Sequence, residues 1–250
     1  MLATACDLTN IVYGRLAKEF IIDSVIIEEP VSKKLLLKRR IKKTGLLNVA
    51  GQLLFMLFVA KPLRFLSVKR KKEILANYHL TDKAIPLEKI KSVASVNDPE
   101  TIKLIQTLQP DLVIVNGTRI ISVDVINCTN ARFINIHAGI TPLYRGVHGA
   151  YWAMAMEDKA HCGVTIHYVD SGIDTGGILA QGIIQPDKTD NFTTYPYLQF
   201  AVGVELFSEV IRDFMNGILQ EKPVPKGNSN LWYHPTIIQY IRFRLFRGAK

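Results

Sequence analysis

Apolar residues recur along the chain with two different periods, and these periods predict an alternation of strands and helices. Short runs rich in β-branched residues predict strands at Asp23–Glu29, Lys91–Val96, Asp111–Gly117, Arg132–His137, Gly163–Val169 and Ile178–Ile184. Helical spacing occurs near residues 11–20, 46–60, 68–79, 97–108, 149–157 and 197–217. This order indicates an α/β fold: a Rossmann-like, mostly parallel sheet with helices on both faces and a C-terminal hairpin.

The start of the chain fits this fold less well than the rest. The segment "MLATACDLTN" offers at most a stub of a first strand, so we expect that strand to be very short or missing. A sheet without it would expose an edge and lose stability. We expect one catalytic domain over residues 1–219, followed by a short aromatic and basic tail over residues 220–250.

The most apolar helix, residues 46–60, needs its own interpretation. Its 15 residues extend about 22 Å, whereas the hydrocarbon core of a bilayer is about 30 Å thick. Asn48 and Gln52 form only a thin polar stripe, and a helix that is apolar nearly all round is usually buried in the protein. Burial is therefore the favoured expectation. The alternative is an interfacial helix whose flanking lysines attract anionic lipid.

The net charge of +9 comes from a single segment. Residues 30–72 contain 13 lysines and arginines and no acidic residue, which leaves 18 basic and 22 acidic residues elsewhere. The basic residues form two clusters, 33–43 and 61–72, on either side of the apolar helix. Such clusters suit a phosphorylated substrate or an anionic surface. Nucleic acid is disfavoured as a partner, because no aromatic interleaving or nucleic-acid motif accompanies them.

The amino-acid composition further limits the class of protein that we expect. With 250 residues, 48% hydrophobic and 21% charged, the chain suits one globular domain with a sizeable core. Cys6, Cys128 and Cys162 lie far apart, which fits neither a disulfide framework nor a metal site. The simplest explanation of this cysteine pattern is a reducing compartment, and the first residues do not resemble a signal peptide, so we expect a cytoplasmic protein. Because no metal-ligand spacing occurs, we also expect that it needs no metal.

Two polar side chains end one of the predicted buried strands. Asn135 and His137 are two residues apart and so share a face of that strand. An amide and an imidazole that converge on one point can stabilise an oxyanion, as acyl transfer requires. A carboxylate from "DSGIDTGG", Asp170 or Asp174, would orient the histidine and relay protons. The alternative is a hydrogen-bonded structural pair beside a wide hairpin loop.

Polar loops follow three of the predicted strands. They are "NGTRI", "HAGITPLYRG" and "DSGIDTGG". In α/β folds ligands bind at the carboxyl ends of the strands, so we expect these loops to meet at that edge of the sheet.

The stretch "NIHAGITPLYRGVHGAYWAM", followed by "GVTIHYVDSGIDTGGILAQ", resembles the formyltransferase family, whose members formylate an amine with N10-formyltetrahydrofolate. The resemblance covers about residues 111–184 and extends more loosely to residue 217. It implies that the catalytic residues are Asn135, His137 and Asp174. It also implies a folate site at Thr118, Arg119, Ile120, Ile121, Asp170 and Gly172, and an acceptor side at Tyr144, Arg145 and His148. For Arg119 a solvated loop charge remains the alternative, and for Arg145 a salt bridge that fixes the loop.

Differences between this sequence and the known subgroups of the family narrow the range of acceptor amines that we expect. The segment "ATACDLTNIVYG" lacks the Gly-rich phosphate loop of the glycinamide ribonucleotide enzymes. About 30 residues follow the last core helix, too few for the barrel of the initiator-tRNA enzymes, and the regulatory domain of the hydrolases has no counterpart. Among the subgroups of the family, this chain then most resembles the small sugar N-formyltransferases. We therefore expect a nucleotide-linked amino sugar as acceptor.

Other activities stay open at this point. They are formylation of glycinamide ribonucleotide or methionyl-tRNA, hydrolysis of formyltetrahydrofolate, and folate binding without catalysis. The tail "LWYHPTIIQYIRFRLFRG" has three possible roles: covering the site, pairing subunits in a homodimer, or packing on the core.

Overall fold

The computed structural model describes residues 1–224 and 228–250, and a seven-stranded sheet lies at its centre. The strands are β1 (Leu2–Thr4), β2 (Val25–Glu28), β3 (Ile90–Val93), β4 (Leu112–Asn116), β5 (Arg132–His137), β6 (Arg145–Gly146), β7 (Gly163–Tyr168), β8 (Ile178–Ile183) and β9 (Leu231–Trp232). The sheet has the order β3-β2-β1-β4-β5-β7-β8. Strands β6 and β9 form a separate parallel pair.

Strand directions confirm the predicted sheet. Strands β1 to β5 are parallel to one another, β7 is antiparallel to β5, and β8 completes the hairpin at the edge. The first strand is present but very short, which is the first of the two outcomes expected from the sequence. Strand β1 is only three residues long, but it lies between β2 and β4, and Leu2 and Ala3 are fully buried there. Flanking strands on both sides stabilise even so short a segment.

Helices cover both faces of the sheet, as predicted. They are α1 (Asp7–Leu16), α2 (Lys33–Thr44), α3 (Leu46–Phe55), α4 (Lys61–Leu66), α5 (Val68–Asn77), α6 (Pro99–Leu108), α7 (Val123–Ile126), α8 (Gly149–Ala155), α9 (Tyr195–Met215) and α10 (Ile237–Arg247). The larger apolar core includes residues of α1, α8 and α9, and the smaller core lies under α6 and α7.

The start of α6 shows how a helix terminus can serve a neighbouring loop. The helix begins at Pro99, within the predicted range 97–108, and the side chain of Asp98 before it makes no capping hydrogen bond. The amide of Asn97 instead donates to the Ile120 carbonyl at 2.9 Å and accepts from the Ser122 N–H at 2.8 Å. Asn97 therefore fixes the loop that follows β4.

The apolar helix is not buried, contrary to the favoured expectation. Helix α3 continues through a π-helical segment, Met56–Ala60, into α4, and the run Leu46–Leu66 is long and apolar enough to cross a membrane by length and composition. Only the inward positions, such as Val49, Gln52 and Phe55, are buried. Gln52, assigned to the polar stripe, faces inward, while many of the outward positions are leucine and phenylalanine.

The tail is part of the folded domain. Strand β9 pairs with β6, and Trp232 stacks on Trp152 with ring centroids 4.6 Å apart. The indole N–H groups of Trp232 and Trp152 donate to the carbonyls of Leu143 and Tyr233. Helix α10 packs against α3 and α8. The tail therefore packs on the core, and its pairing of subunits stays a prediction.

Candidate active site

Strand β5 carries Asn135 and His137 on one face, as the strand period predicts. Ile134 and Ile136 point the other way into the larger core. Asn135 lies opposite His167 of β7, and its amide donates to His167 Nε2 at 3.1 Å. The Nδ1–H of His167 donates to its neighbouring carbonyl at 2.7 Å. Because an amide has two N–H groups, one remains for a ligand.

His137 is held between two hydrogen-bond acceptors. Its Nε2–H donates to the Tyr144 carbonyl at 2.8 Å, and its Nδ1 lies 3.4 Å from Asp174 Oδ1. Burial lowers the pKa of His137, and the Asp174 carboxylate and the Tyr144 carbonyl partly offset this effect. A neutral imidazole has one N–H and satisfies one acceptor, whereas an imidazolium satisfies both. His137 therefore has an acceptor within reach of each ring nitrogen.

Asp174 completes the cluster from the loop between β7 and β8. Its Oδ2 accepts from the Gly146 N–H at 2.8 Å, and its Oδ1 lies 3.7 Å from His167 Nε2. Burial alone would raise the pKa of Asp174, but His137, His167 and the Gly146 N–H outweigh it and lower that pKa to about 2. The carboxylate is therefore ionised at neutral pH. Its φ of 51° is in the left-handed region, which Asp tolerates better than most residues.

The loop with Asp174 leaves the sheet at an unexpected end. Since β7 is antiparallel to β5, Tyr168 lies opposite Ile134, away from the carboxyl end of β5. The three polar loops meet at one cavity as expected, but this loop leaves β7 away from the carboxyl end of β5 and folds back to reach His137. A Cβ on Gly172 would lie 1.9 Å from Thr175 Oγ1, so this path requires glycine. Asp170 shapes it by accepting hydrogen bonds from Thr175 and Gly172.

A cavity of about 600 Å³ adjoins the cluster, a size typical of small-molecule sites. Its walls include Asn135, His137 and Asp174, together with all six residues predicted to bind the cofactor, Thr118, Arg119, Ile120, Ile121, Asp170 and Gly172. Buried Glu28 forms an ion pair with Arg119 and accepts from the Arg119 N–H at 2.7 Å. Arg119 is therefore not a solvated loop charge, since this contact fixes the segment that lines the cavity.

The three residues predicted to face the acceptor amine lie in different surroundings in the structure. Tyr144 is buried, and its hydroxyl donates to Asp158 Oδ2 at 2.8 Å. Arg145 donates from Nη1 to the Ile173 carbonyl at 3.0 Å, which ties two loops together. Neither is among the described residues that line the cavity, whereas His148 is.

Sequence reasoning missed a chain of polar groups on the far side of the cavity. His148 Nε2 lies 2.9 Å from His234 Nδ1, and Arg40 Nη2 donates to His234 Nε2 at 3.0 Å. Burial and the neighbouring Arg40 lower the pKa of His234 to about 4, and burial with His234 lowers that of His148 well below its ordinary value. Both imidazoles are therefore neutral at pH 7.

His167 was also missed, although its alternation with Ile166 along "GVTIHYV" was a usable signal. No sequence signal links His234 or Arg40 to the site, because 194 residues separate them. Within residues 1–224 and 228–250, no three metal-ligating side chains cluster.

Comparison with known proteins places this chain in one family. A family model described as formyl transferase matches residues 66–211, more than half of the chain. The chain therefore belongs to the formyl transferase family. The methionyl-tRNA formyltransferase of Thermodesulfovibrio yellowstonii is 34% identical over 129 residues, which are 51% of this chain and 42% of that protein. The chain spans less than half the length of the curated relatives it matches.

Two solved structures share the fold. The phosphoribosylglycinamide formyltransferase of Streptococcus pneumoniae aligns with a TM-score of 0.54 at 19% identity, covering 86% of this chain and 97% of that one. A sugar 3N-formyl transferase, solved in the presence of dTDP and 5-N-formyl-THF, aligns with a TM-score of 0.55 at 16% identity over 92% of this chain and 68% of that one. At these identities the likeness establishes the α/β formyltransferase fold.

Proposed function

We propose that this protein transfers a formyl group from N10-formyltetrahydrofolate to a primary amine, most favourably the amino group of a nucleotide-linked amino sugar. The convergence of Asn135, His137 and Asp174 on one wall of the cavity carries this proposal. These residues come from β5 and from a loop about 40 positions later, so their meeting is not a consequence of chain proximity.

The three side chains have distinct roles in this reaction. When an amine adds to the formyl carbon, the carbonyl oxygen gains negative charge. The free N–H of Asn135 stabilises this oxyanion. His137 gains a proton as the amine loses one, and Asp174, 3.4 Å away, stabilises the resulting imidazolium. His137 then returns a proton to the leaving nitrogen.

The cavity suits a folate-type formyl donor. Its walls combine apolar side chains, such as Ile121 and Phe200, with polar backbone from the loop after β4. A flat heteroaromatic ring needs both, because its faces pack on apolar groups and its edges hydrogen-bond to backbone. The donor supplies an activated formyl group when bound, and the protein positions it beside Asn135 and His137.

Charge near the cavity favours an acceptor with phosphate groups. Arg40 and Lys43 of α2 line the cavity, and both belong to the basic segment 30–72. The fold is shared with a sugar 3N-formyl transferase, whereas the sequence relatives are methionyl-tRNA formyltransferases. A compact diphosphate of a nucleotide-linked sugar fits two cations on one helix. Methionyl-tRNA and glycinamide ribonucleotide are the competing acceptors.

The test is a turnover assay with N10-formyltetrahydrofolate and a panel of amines: nucleotide-linked amino sugars, glycinamide ribonucleotide and methionyl-tRNA. Tetrahydrofolate release and the mass of the formylated product would be followed together. We expect one nucleotide-linked amino sugar to be formylated. Tetrahydrofolate release that needs no amine would instead identify a hydrolase. Binding of N10-formyltetrahydrofolate without release of tetrahydrofolate would identify a non-catalytic folate-binding protein.

A further inference from the structure

The run Leu46–Leu66 and α10 expose many large apolar side chains among basic and polar ones. Along the first helix, Leu47 is 89% exposed, Phe58 63% and Leu66 79%. Further exposed apolar positions of these helices are Leu46, Leu53, Leu54, Leu57, Phe65, Ile238, Ile241, Leu245 and Phe246. Because α10 packs directly against α3, we treat these residues as one surface and call it the docking surface. Soluble monomers rarely expose apolar residues in such number together.

The inward face of the same helix is anchored to the domain. Phe55 is fully buried against Phe192 and Tyr240, with ring centroids 4.8 and 5.2 Å away. A Cβ on Gly51 would lie 2.9 Å from Thr236 Cβ, so the backbones approach closely there. A helix with one side packed on a folded domain cannot be surrounded by lipid. The run therefore lies along the protein and cannot span a bilayer in this fold.

Positive charge flanks the docking surface at both ends of the run. Helix α2 before it has no buried residue, and Lys33, Lys34 and Lys38 are exposed. Lys61, within the run, and Lys69 after it are exposed as well. The whole segment 30–72 contains 13 basic residues and no acidic one.

Apolar groups flanked by lysines select one class of partner. A second copy of this chain would place two basic segments against each other, and like charges repel across an interface. Nucleic acid matches the lysines but offers no apolar layer for the leucines and phenylalanines. An anionic bilayer offers both, since acyl chains receive the apolar side chains while headgroups attract the lysines.

We propose that the docking surface binds this protein to the surface of an anionic membrane, with the run Leu46–Leu66 lying in the plane of the interface. Gln52 of α3 and Arg40 of α2 line the catalytic cavity, so the helices at the membrane also form its wall. Docking would bring the cavity close to the headgroups. The inference stands on the surface alone and does not depend on formyl transfer.

Vesicle sedimentation with the full chain tests this proposal. The probes are vesicles of phosphatidylglycerol and phosphatidylcholine in equal parts, and vesicles of phosphatidylcholine alone. We expect the protein to pellet with the anionic vesicles and to be released by high salt. The triple variant Leu47→Gln, Phe58→Gln, Leu66→Gln should bind at least a hundredfold more weakly, because each fully buried side chain of this kind is worth about tenfold or more.

A second variant tests the charge. Lys33→Gln, Lys34→Gln, Lys61→Gln should also lose about a hundredfold, since each lysine near an anionic surface contributes about fivefold. The matched controls change equally exposed residues elsewhere: Ile21, Leu87 and Met215 for the apolar set, and Lys18, Lys91 and Lys103 for the lysines. Because all substituted residues are exposed, the variants should fold, which circular dichroism checks.

Three results would overturn the proposal. One is the absence of binding to anionic vesicles. Another is equal loss in the control variants, which would mean that the docking surface is not the binding element. The third is a stable dimer in solution that the apolar triple variant dissociates, which would assign the surface to a second copy of the chain.

Discussion

Replacing Asp174 with asparagine isolates the electrostatic part of the proposed mechanism. Asn has nearly the same shape as Asp and tolerates the left-handed backbone at this position, where φ is 51°. The amide oxygen can still accept the Gly146 N–H, so the loop path should be retained. The substitution therefore removes the negative charge beside His137 with little change in packing.

Two estimates bracket the size of the effect. The pKa of Asp174 falls from 3.8 to about 2, and at about 1.36 kcal/mol per unit this corresponds to about 2.5 kcal/mol of favourable interaction. Unit charges 3.4 Å apart attract by about 5 kcal/mol at an effective dielectric constant near 20, before the cost of burial is subtracted. The resulting range, about 2.5 to 5 kcal/mol, corresponds to a loss of about two to nearly four orders of magnitude in turnover.

Turnover of the accepted amine would be compared between the native protein and Asp174→Asn. The control is Asp124→Asn, an exposed carboxylate on α7, which should retain native turnover. NMR titration gives a second readout: the pKa of His137 should fall further in Asp174→Asn, because the attraction that offsets burial is gone. An Asp174→Asn protein with turnover within tenfold of the native protein would refute the assigned role of this carboxylate.

Three further predictions follow from neighbouring contacts. Asn135→Ala and His137→Ala should each lose about two to three orders of magnitude in rate in the same assay, and near-native turnover of either variant would contradict the role proposed for that side chain. Gly139→Ala should lower the free energy of unfolding in urea by about 1 to 3 kcal/mol, because the new Cβ would lie 2.2 Å from the Tyr144 carbonyl oxygen and 2.7 Å from His137 Nε2. His234 has a folded pKa of about 4, below its ordinary 6.5, so its contribution to stability is complete above pH 6.5 and falls by about 3 kcal/mol as the pH drops toward 4. Urea unfolding of His234→Gln at several pH values should show a shallower dependence, and an unchanged slope would assign the pH dependence to other groups.

The shared orientation of Asn135 and His137 could be predicted because that information is local to one strand. The strand period alone places Asn135 and His137 on one face, and the family resemblance supplies Asp174. What could not be predicted is the path of the loop with Asp174. The antiparallel direction of β7 determines that path. The residues of a single strand do not show whether it runs parallel or antiparallel to its neighbour, and so they do not show at which end of the sheet the next loop begins.

The wrong expectation for residues 46–60 has a different cause. A helix that is apolar on all sides gives no indication of which side faces the core, and full burial is then the commonest outcome. Here Phe192 and Tyr240 determine which side of the helix faces the core, because both rings contact Phe55 although they lie far from it in the sequence. Once these rings and Thr236 cover one side, the remaining leucines have no described partner.

This arrangement links two features that were separate in the sequence. The basic segment flanks the apolar helix, and it also supplies Arg40, which donates to His234 at the cavity. Burying the charged head of Arg40 against a histidine is costly unless the ring accepts its hydrogen bond, which keeps His234 neutral. The neutral His234 can in turn donate to His148, so burial together with Arg40 of α2 keeps two imidazoles at the cavity neutral. If the docking surface binds a membrane as proposed, α2 connects that surface through Arg40 to His234 and His148 at the cavity.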